Sequence, residues 1–174
     1  TLPCFSGSTL AQRMAEALPG NEALKITFEL TEAFEYAQQQ SLGQQRVLPD
    51  KIYFDDAGRA VLFDFGIDCA AEQILAGKVG DDAHALFGTV AETLHSLGEL
   101  LLQMLLGPTY DAEARIDDLC AKIDNNRVRR LVGRFLLPGE WRFATFAELL
   151  EELRCFDEIE EQLSAVETVA AAES

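Results

Sequence analysis

Between Leu86 and Leu106 the chain is apolar on nearly every side of a helical wheel, and this stretch constrains everything around it. A helix without a polar face has to be wrapped by other elements. Its most apolar part, Leu94 to Leu106, is interrupted by His95, Glu99 and Gln103. A bilayer span needs about 20 apolar residues, so the run reads as a core helix and not as a membrane segment. Gly107-Pro108 stops it, because glycine ends helices readily and proline cannot continue one. The expected fold is therefore mainly α, built around a central buried helix at about residues 86–106.

The flanking segments fit that plan. Thr9 to Leu18 reads as a short helix, capped by Ser8 or Thr9 and stopped by Pro19-Gly20. Asn21 caps a longer one over Glu22 to Gln40, where Ala23, Ile26, Leu30, Ala33, Phe34 and Ala37 recur at helical spacing. The period then changes. Ile52-Tyr53-Phe54 and Ala60-Val61-Leu62-Phe63 are short β-prone runs joined by Asp55-Asp56-Ala57-Gly58, which is turn chemistry, so one small β-hairpin is expected. Beyond the central helix, Ala112 to Ile123, Arg127 to Leu137 and Phe146 to Cys155 read as helices. Thr145 caps the last, with Glu148 completing a capping box. The division expected is a folded domain over residues 1–155 and an acidic helical tail or linker over residues 156–174.

Thirty acids against 14 bases give a net charge of −16. Such a chain repels phosphate backbones and anionic bilayers, so nucleic acid and membrane insertion are poor partner classes. Cys4, Cys69, Cys120 and Cys155 are too scattered for a zinc site, and there are only two histidines. With no basic or apolar leader in Thr1 to Cys4, reduced thiols and a cytoplasmic location are expected. The start at Thr1 instead of Met fits a piece of a longer protein.

Six segments in fixed order carry a resemblance. Arg59 to Gly66, ending in Asp64-Phe65-Gly66, resembles the strand and Asp-Phe-Gly motif of protein kinases. Leu48 to Asp55 is similar to the end of the kinase catalytic loop, and Cys69 to Leu75 resembles the Ala-Pro-Glu segment. Leu94 to Gly107 is similar to the central helix of the kinase C-lobe. Pro138 to Ala144 is similar to a late kinase stretch that carries an arginine, here Arg142, and Phe5 to Leu10 looks like the exit from the kinase hinge that leads into the first C-lobe helix. The resemblance covers residues 4 to 155 and implies a kinase C-lobe-like helical domain.

It also implies that the chemistry is degenerate. Kinases need a catalytic-loop Asp to orient the nucleophile, and an Asn and the Asp-Phe-Gly Asp to hold magnesium. Counting back from Pro49 puts Arg46 where the Asp belongs, and a guanidinium accepts no proton. The Asn position falls on Lys51, an ammonium that repels magnesium. Lys51 has two readings: a surface residue at a turn, or an internal cation paired with Asp64. Asp64 likewise either binds residual metal or nucleotide, or is structural with Phe65 and Gly66. Only Ile67 to Ala71 separate Gly66 from Glu72, too few for an activation loop. Glu72 and Arg142 match an ion pair that holds the kinase fold together. Thr93 stands where the family has an Asp, and His95 is expected to be packed and hydrogen-bonded.

The reading is an inactive, pseudokinase-type domain of the Ser/Thr kinase kind that acts as a protein-interaction or regulatory scaffold, with no cofactor and no catalytic residue. The alternatives are a kinase-like domain that retains ATP binding or atypical phosphotransfer when joined to an N-lobe, and an unrelated all-α adaptor. Two interaction surfaces are expected. One is an apolar upper face at Leu2, Phe5, Ile52, Phe54 and Phe65, covered by a partner protein, an N-lobe or a second copy. The other is a basic cluster of Lys122, Arg127, Arg129, Arg130 and Arg134, which either receives an acidic segment or phosphopeptide or balances Asp117, Asp118 and Asp124.

Overall fold

The computed structural model describes residues 8–40, 47–63 and 89–156. The first turn of helix, α1 (Leu10–Arg13), opens on a capping box in which Thr9 Oγ1 accepts from Gln12 N at 3.3 Å and Gln12 Oε1 accepts from Thr9 N at 3.0 Å. The helix expected to Leu18 ends early. Beyond Arg13 the backbone turns so that Leu18 N can donate to Met104 O at 2.8 Å, tying this segment to the end of the central helix. Gly107, with φ +49°, ends that helix where any β-carbon would strike the backbone of Glu16 and Ala17.

Helix α2 (Gly20–Gln39) follows Pro19, which caps it without a side-chain bond; the expected cap, Asn21, lies inside the helix. Ala23, Ile26, Leu30, Phe34 and Ala37 form its buried stripe, as their spacing predicts. Thr27 and Thr31 are also buried, and each hydroxyl donates to the carbonyl four residues back, at 2.8 and 2.7 Å. Those bonds remove the cost of leaving a polar group unpaired in the core.

Strands β1 (Ile52–Phe54) and β2 (Ala60–Leu62) pair antiparallel, with Ile52 opposite Leu62 and Phe54 opposite Ala60. The turn between them is held by one carboxylate. Asp55 accepts from the amides of Ala57 and Arg59, both at 2.9 Å, and from the Arg59 guanidinium at 2.8 Å. The Arg59 amide is foremost in holding the Asp55 carboxyl below its ordinary range. Glu29 on α2 accepts from Ala60 N at 2.7 Å and moors the hairpin to the helix.

The central helix, α3 (Val90–Leu106), begins at a capping box between Thr89 and Glu92. Residues 86–88 of the expected helix lie outside the described residues. Ten of its residues are buried, from Thr93 through Leu106. Helix α2 and the later helix over Asn126–Leu136 pack on it, and the later helix crosses at Gly98, where a β-carbon would overlap the Phe135 side chain.

Helix α4 (Ile116–Cys120) is much shorter than the span predicted from Ala112 to Ile123. Asp111 captures the chain first: its carboxylate accepts from Glu113 N at 3.0 Å and its carbonyl from Ala114 N at 3.1 Å. A local turn thus displaces the first helical turn. Helix α5 (Asn126–Leu136) is capped by Asn125, which accepts from Arg127 N and Val128 N. Pro138 follows its end. Helix α6 spans residues 146–156, starting where Thr145 Oγ1 accepts from Glu148 N at 3.2 Å. The core continues to Phe156, which is buried.

The architecture is therefore mainly helical, with one two-stranded antiparallel sheet among the described residues. Phe34 stacks on Phe146 and Phe135 tilts against Phe143, which joins α2, α5 and α6 in one core. Among the described residues no helix is long and apolar enough to cross a membrane.

Candidate functional site

Two regions collect the residues singled out in the sequence. The first is the open end of the hairpin. Pro49–Lys51 form a single 3-10 turn that leads into β1. Phe63 N donates to Lys51 O at 2.8 Å, so the backbone of Lys51 lies directly across from the residue that precedes Asp64. Arg46, Asp64, Phe65, Gly66, Glu72 and Phe5 lie outside the described residues. The chain just after Arg46 is anchored from below: Val47 N donates to Ser96 Oγ of α3 at 2.9 Å, in a buried position. Sequence reasoning passed over Ser96. A serine amid the leucines of a core helix is the signal that could have found it, because a buried hydroxyl needs a partner. Thr93 is fully buried, and its hydroxyl donates within its own helix to Thr89 O at 3.3 Å.

The upper face differs from the expected exposed apolar patch. Ile52 and Phe54 are buried, at 0% and 4% exposure, and belong to the core. The Arg13 guanidinium lies 3.5 Å from the centre of the Phe54 ring and covers it. A three-residue strand cannot reveal from sequence which of its faces meets α1, and here Phe54 faces inward. The large apolar side chains exposed beside the hairpin are Leu48 and Phe63.

Arg142, whose expected partner Glu72 lies outside the described residues, bonds to helix α5. Its Nη2 donates to Phe135 O at 3.0 Å and lies 3.4 Å from His95 Nδ1. His95 sits at the margin of α3, with its side chain 42% exposed and Nε2 3.7 Å from Glu99 Oε1. It is hydrogen-bonded as expected but is not packed into the core.

The second region is a groove of about 1120 Å³ along α5, closed by α4 on one side and by Trp141 and α6 on the other. The basic cluster of the sequence meets here: Arg127, Arg129, Arg130 and Arg134 all line it, against two carboxylates, Asp117 and Glu152. Lys122 is not part of it and donates to Thr109 O at 3.2 Å. The four arginines do different work. Arg129 Nε and Nη2 both donate to Ile123 O, which locks the loop before α5. Arg134 binds Glu148 and Glu152, donates to Trp141 O at 2.9 Å, and lies over Phe143, so it staples α5 to α6. Such a bridged guanidinium holds structure and presents little to a ligand. Arg127 has one donor on Cys155 O at 2.8 Å and rests over Phe156. Arg130 is exposed and forms no ion pair among the described residues.

Trp141, the one tryptophan of the chain, forms the far wall at 47% exposure. It lies over Gly133, where an added β-carbon would meet the indole at 3.5 Å. Sequence reading assigned Trp141 only to a motif and missed its place in the groove. Cys120 also lines the groove; burial, and then the charge of Asp117, push its thiol above its ordinary range. Among the described residues no group of three or more His, Cys, Asp or Glu side chains converges as a metal site. Comparison with models of known protein families and with curated proteins gives no match.

Proposed function

We propose that this chain is a kinase C-lobe-like domain that has lost phosphotransfer chemistry and works as a protein-interaction or regulatory scaffold. The observation that carries the reading is the open end of the hairpin. The Lys51 backbone is bonded across to Phe63, the residue just before Asp64-Phe65-Gly66. In an active kinase the matching corner brings together an Asn and an Asp around magnesium. Here one of those two positions is an ammonium, which opposes a divalent cation. Ahead of it Arg46 replaces the proton-accepting Asp, and a guanidinium cannot take that role.

Two contacts are consistent with the same reading. The Ser96 tether under the loop and the Arg142 bond to α5 both keep the corner and the late helix in place. A packed helical frame without such reacting groups suits binding. The test is a thermal-shift titration with ATP, with and without magnesium, on this chain and on the longest natural form that contains it. A ligand at about 100 times its Kd stabilises by roughly 2.7 kcal/mol. For a domain of this size that is a rise of about 5–10 °C. The reading expects no magnesium-dependent rise in either form. A clear rise would establish residual nucleotide use and reopen the assignment of Arg46 and Lys51.

A further inference from the structure

The α5 groove has a composition unlike the rest of the molecule. In a chain of net charge −16, it gathers four guanidiniums against two carboxylates. Its floor is apolar, made by Leu131, Gly133 and Leu137, and its wall is a half-exposed tryptophan. At about 1120 Å³ it exceeds the usual volume of a small-molecule pocket, about 300–1,000 Å³. Its length follows a helix of eleven residues, which suits an extended chain.

We infer that this groove takes an acidic peptide segment of a partner protein, with Arg130 and Arg127 receiving its carboxylates and Trp141 packing against its apolar side chains. Arg127 and Arg130 stand three residues apart on α5, so they are neighbours on the helix surface. Each guanidinium has five N–H donors in a planar fork. Arg130 has all of them open among the described residues, and Arg127 directs one to Cys155 O. Arg129 and Arg134 supply field and shape, because their donors are held by Ile123, Trp141 and the α6 carboxylates. Trp141 adds a flat apolar face beside the charges, and tryptophan and arginine are the side chains that most often dominate a binding site. A long polyanion such as nucleic acid is excluded by the overall negative field, whereas a short acidic segment feels the local groove.

The inference names the partner class of the scaffold proposed above and rests on that reading, but its test is independent of nucleotide. Trp141 is the only tryptophan and reports the groove directly. The full chain is titrated with a short synthetic peptide of Glu-Glu-Leu repeats while Trp141 emission is followed. A saturable change is expected, weakening as salt is added. Arg130→Glu together with Arg127→Glu is expected to weaken binding by roughly tenfold or more. Arg130→Glu alone, at an exposed unpaired position, is expected to weaken binding while leaving the melting temperature near that of the parent. Arg154→Glu, an exposed arginine outside the groove, is the charge control and is expected to bind as the parent does.

The absence of a saturable change would overturn the inference, and so would an equal loss in the Arg154 control. A Trp141 change on dilution without peptide would assign the groove to a second copy. A change on adding salt alone would assign it to the chain's own carboxylates. Tighter binding of a single-stranded RNA oligomer than of the peptide would assign it to nucleic acid. Each of these three results would overturn the peptide assignment. A magnesium-dependent ATP shift would instead remove the non-catalytic reading and leave the Trp141 titration as it stands.

Discussion

Helices α3 and α5 lie against each other and divide the work of the molecule. Helix α3 is buried on most sides, and its buried polar residues serve the fold: Thr93 bonds within the helix and Ser96 holds the Val47 amide. Helix α5 buries Val128, Leu131, Val132, Phe135 and Leu136 on one face and turns its arginines to the groove on the other. The first helix leaves almost nothing for a ligand to touch. The second is half core and half surface, so charge there can change without disturbing the packing. Substitutions at the two helices should therefore separate stability from binding.

The largest effect is expected where the helices meet. Phe135→Ala removes a fully buried ring from their contact, and large-to-small changes of this kind cost about 3–5 kcal/mol. At about 2–4 °C per kcal/mol for a domain of this size, differential scanning calorimetry should record a fall on the order of 10 °C. Gly98→Ala attacks the same contact from α3 by placing a β-carbon into the Phe135 side chain. Overpacking of a tight core costs about 1–3 kcal/mol, so its transition should lie between those of Phe135→Ala and the parent.

Ser96→Ala tests whether α3 supports the hairpin corner. It strands the buried Val47 amide, at a cost of about 1–3 kcal/mol, and hydrogen exchange should quicken at Val47 ahead of the α3 leucines. Thr89→Ala removes the α3 cap, for which about 1 kcal/mol is expected. It also carries a pH signature. The Thr89 amide foremost, and then its hydroxyl, hold the Glu92 carboxyl below its ordinary range. A depressed carboxyl contributes stability above its unfolded pKa, and that contribution disappears as pH falls through the folded value. The substitution keeps the amide and removes only the hydroxyl, so acid melts in the range below about pH 4.3 should be slightly less steep for Thr89→Ala than for the parent. The smallest effect belongs to α5: Arg130→Glu is expected to shift stability by no more than about 0.5 kcal/mol.

The sequence makes α3 legible for the same reason that α3 dominates the fold. Residues that are apolar on all sides have one physical solution, and Gly107-Pro108 marks where it ends. The hairpin was equally clear, since Asp55 to Gly58 and the two β-prone runs allow little else. The departures come from long-range polar contacts that no local pattern contains. Leu18 reaching Met104 shortens the first helix, and Glu29 anchors Ala60 from 31 positions away. Helix α4 fails at its start because Asp111 offers the backbone a closer partner. In the candidate groove, the clustering of arginines was visible, but their division of labour was not. Whether Arg134 meets Glu148 or faces a ligand depends on where α6 docks. Phe54 departs from its expected exposure on the same ground, because Arg13 and α1 decide which side of β1 is covered.

The most direct test of the non-catalytic assignment is site-resolved: amide spectra of the labelled chain recorded with ATP and substoichiometric manganese, watching Lys51, Ile52 and Phe63 at the open end of the hairpin. Manganese broadens signals close to wherever it binds, and it replaces magnesium in kinase-type sites. The account predicts that these three amides keep the intensity of the α5 amides at every manganese concentration. Selective broadening at Lys51 and Phe63 would place a metal–nucleotide complex at that corner and contradict it.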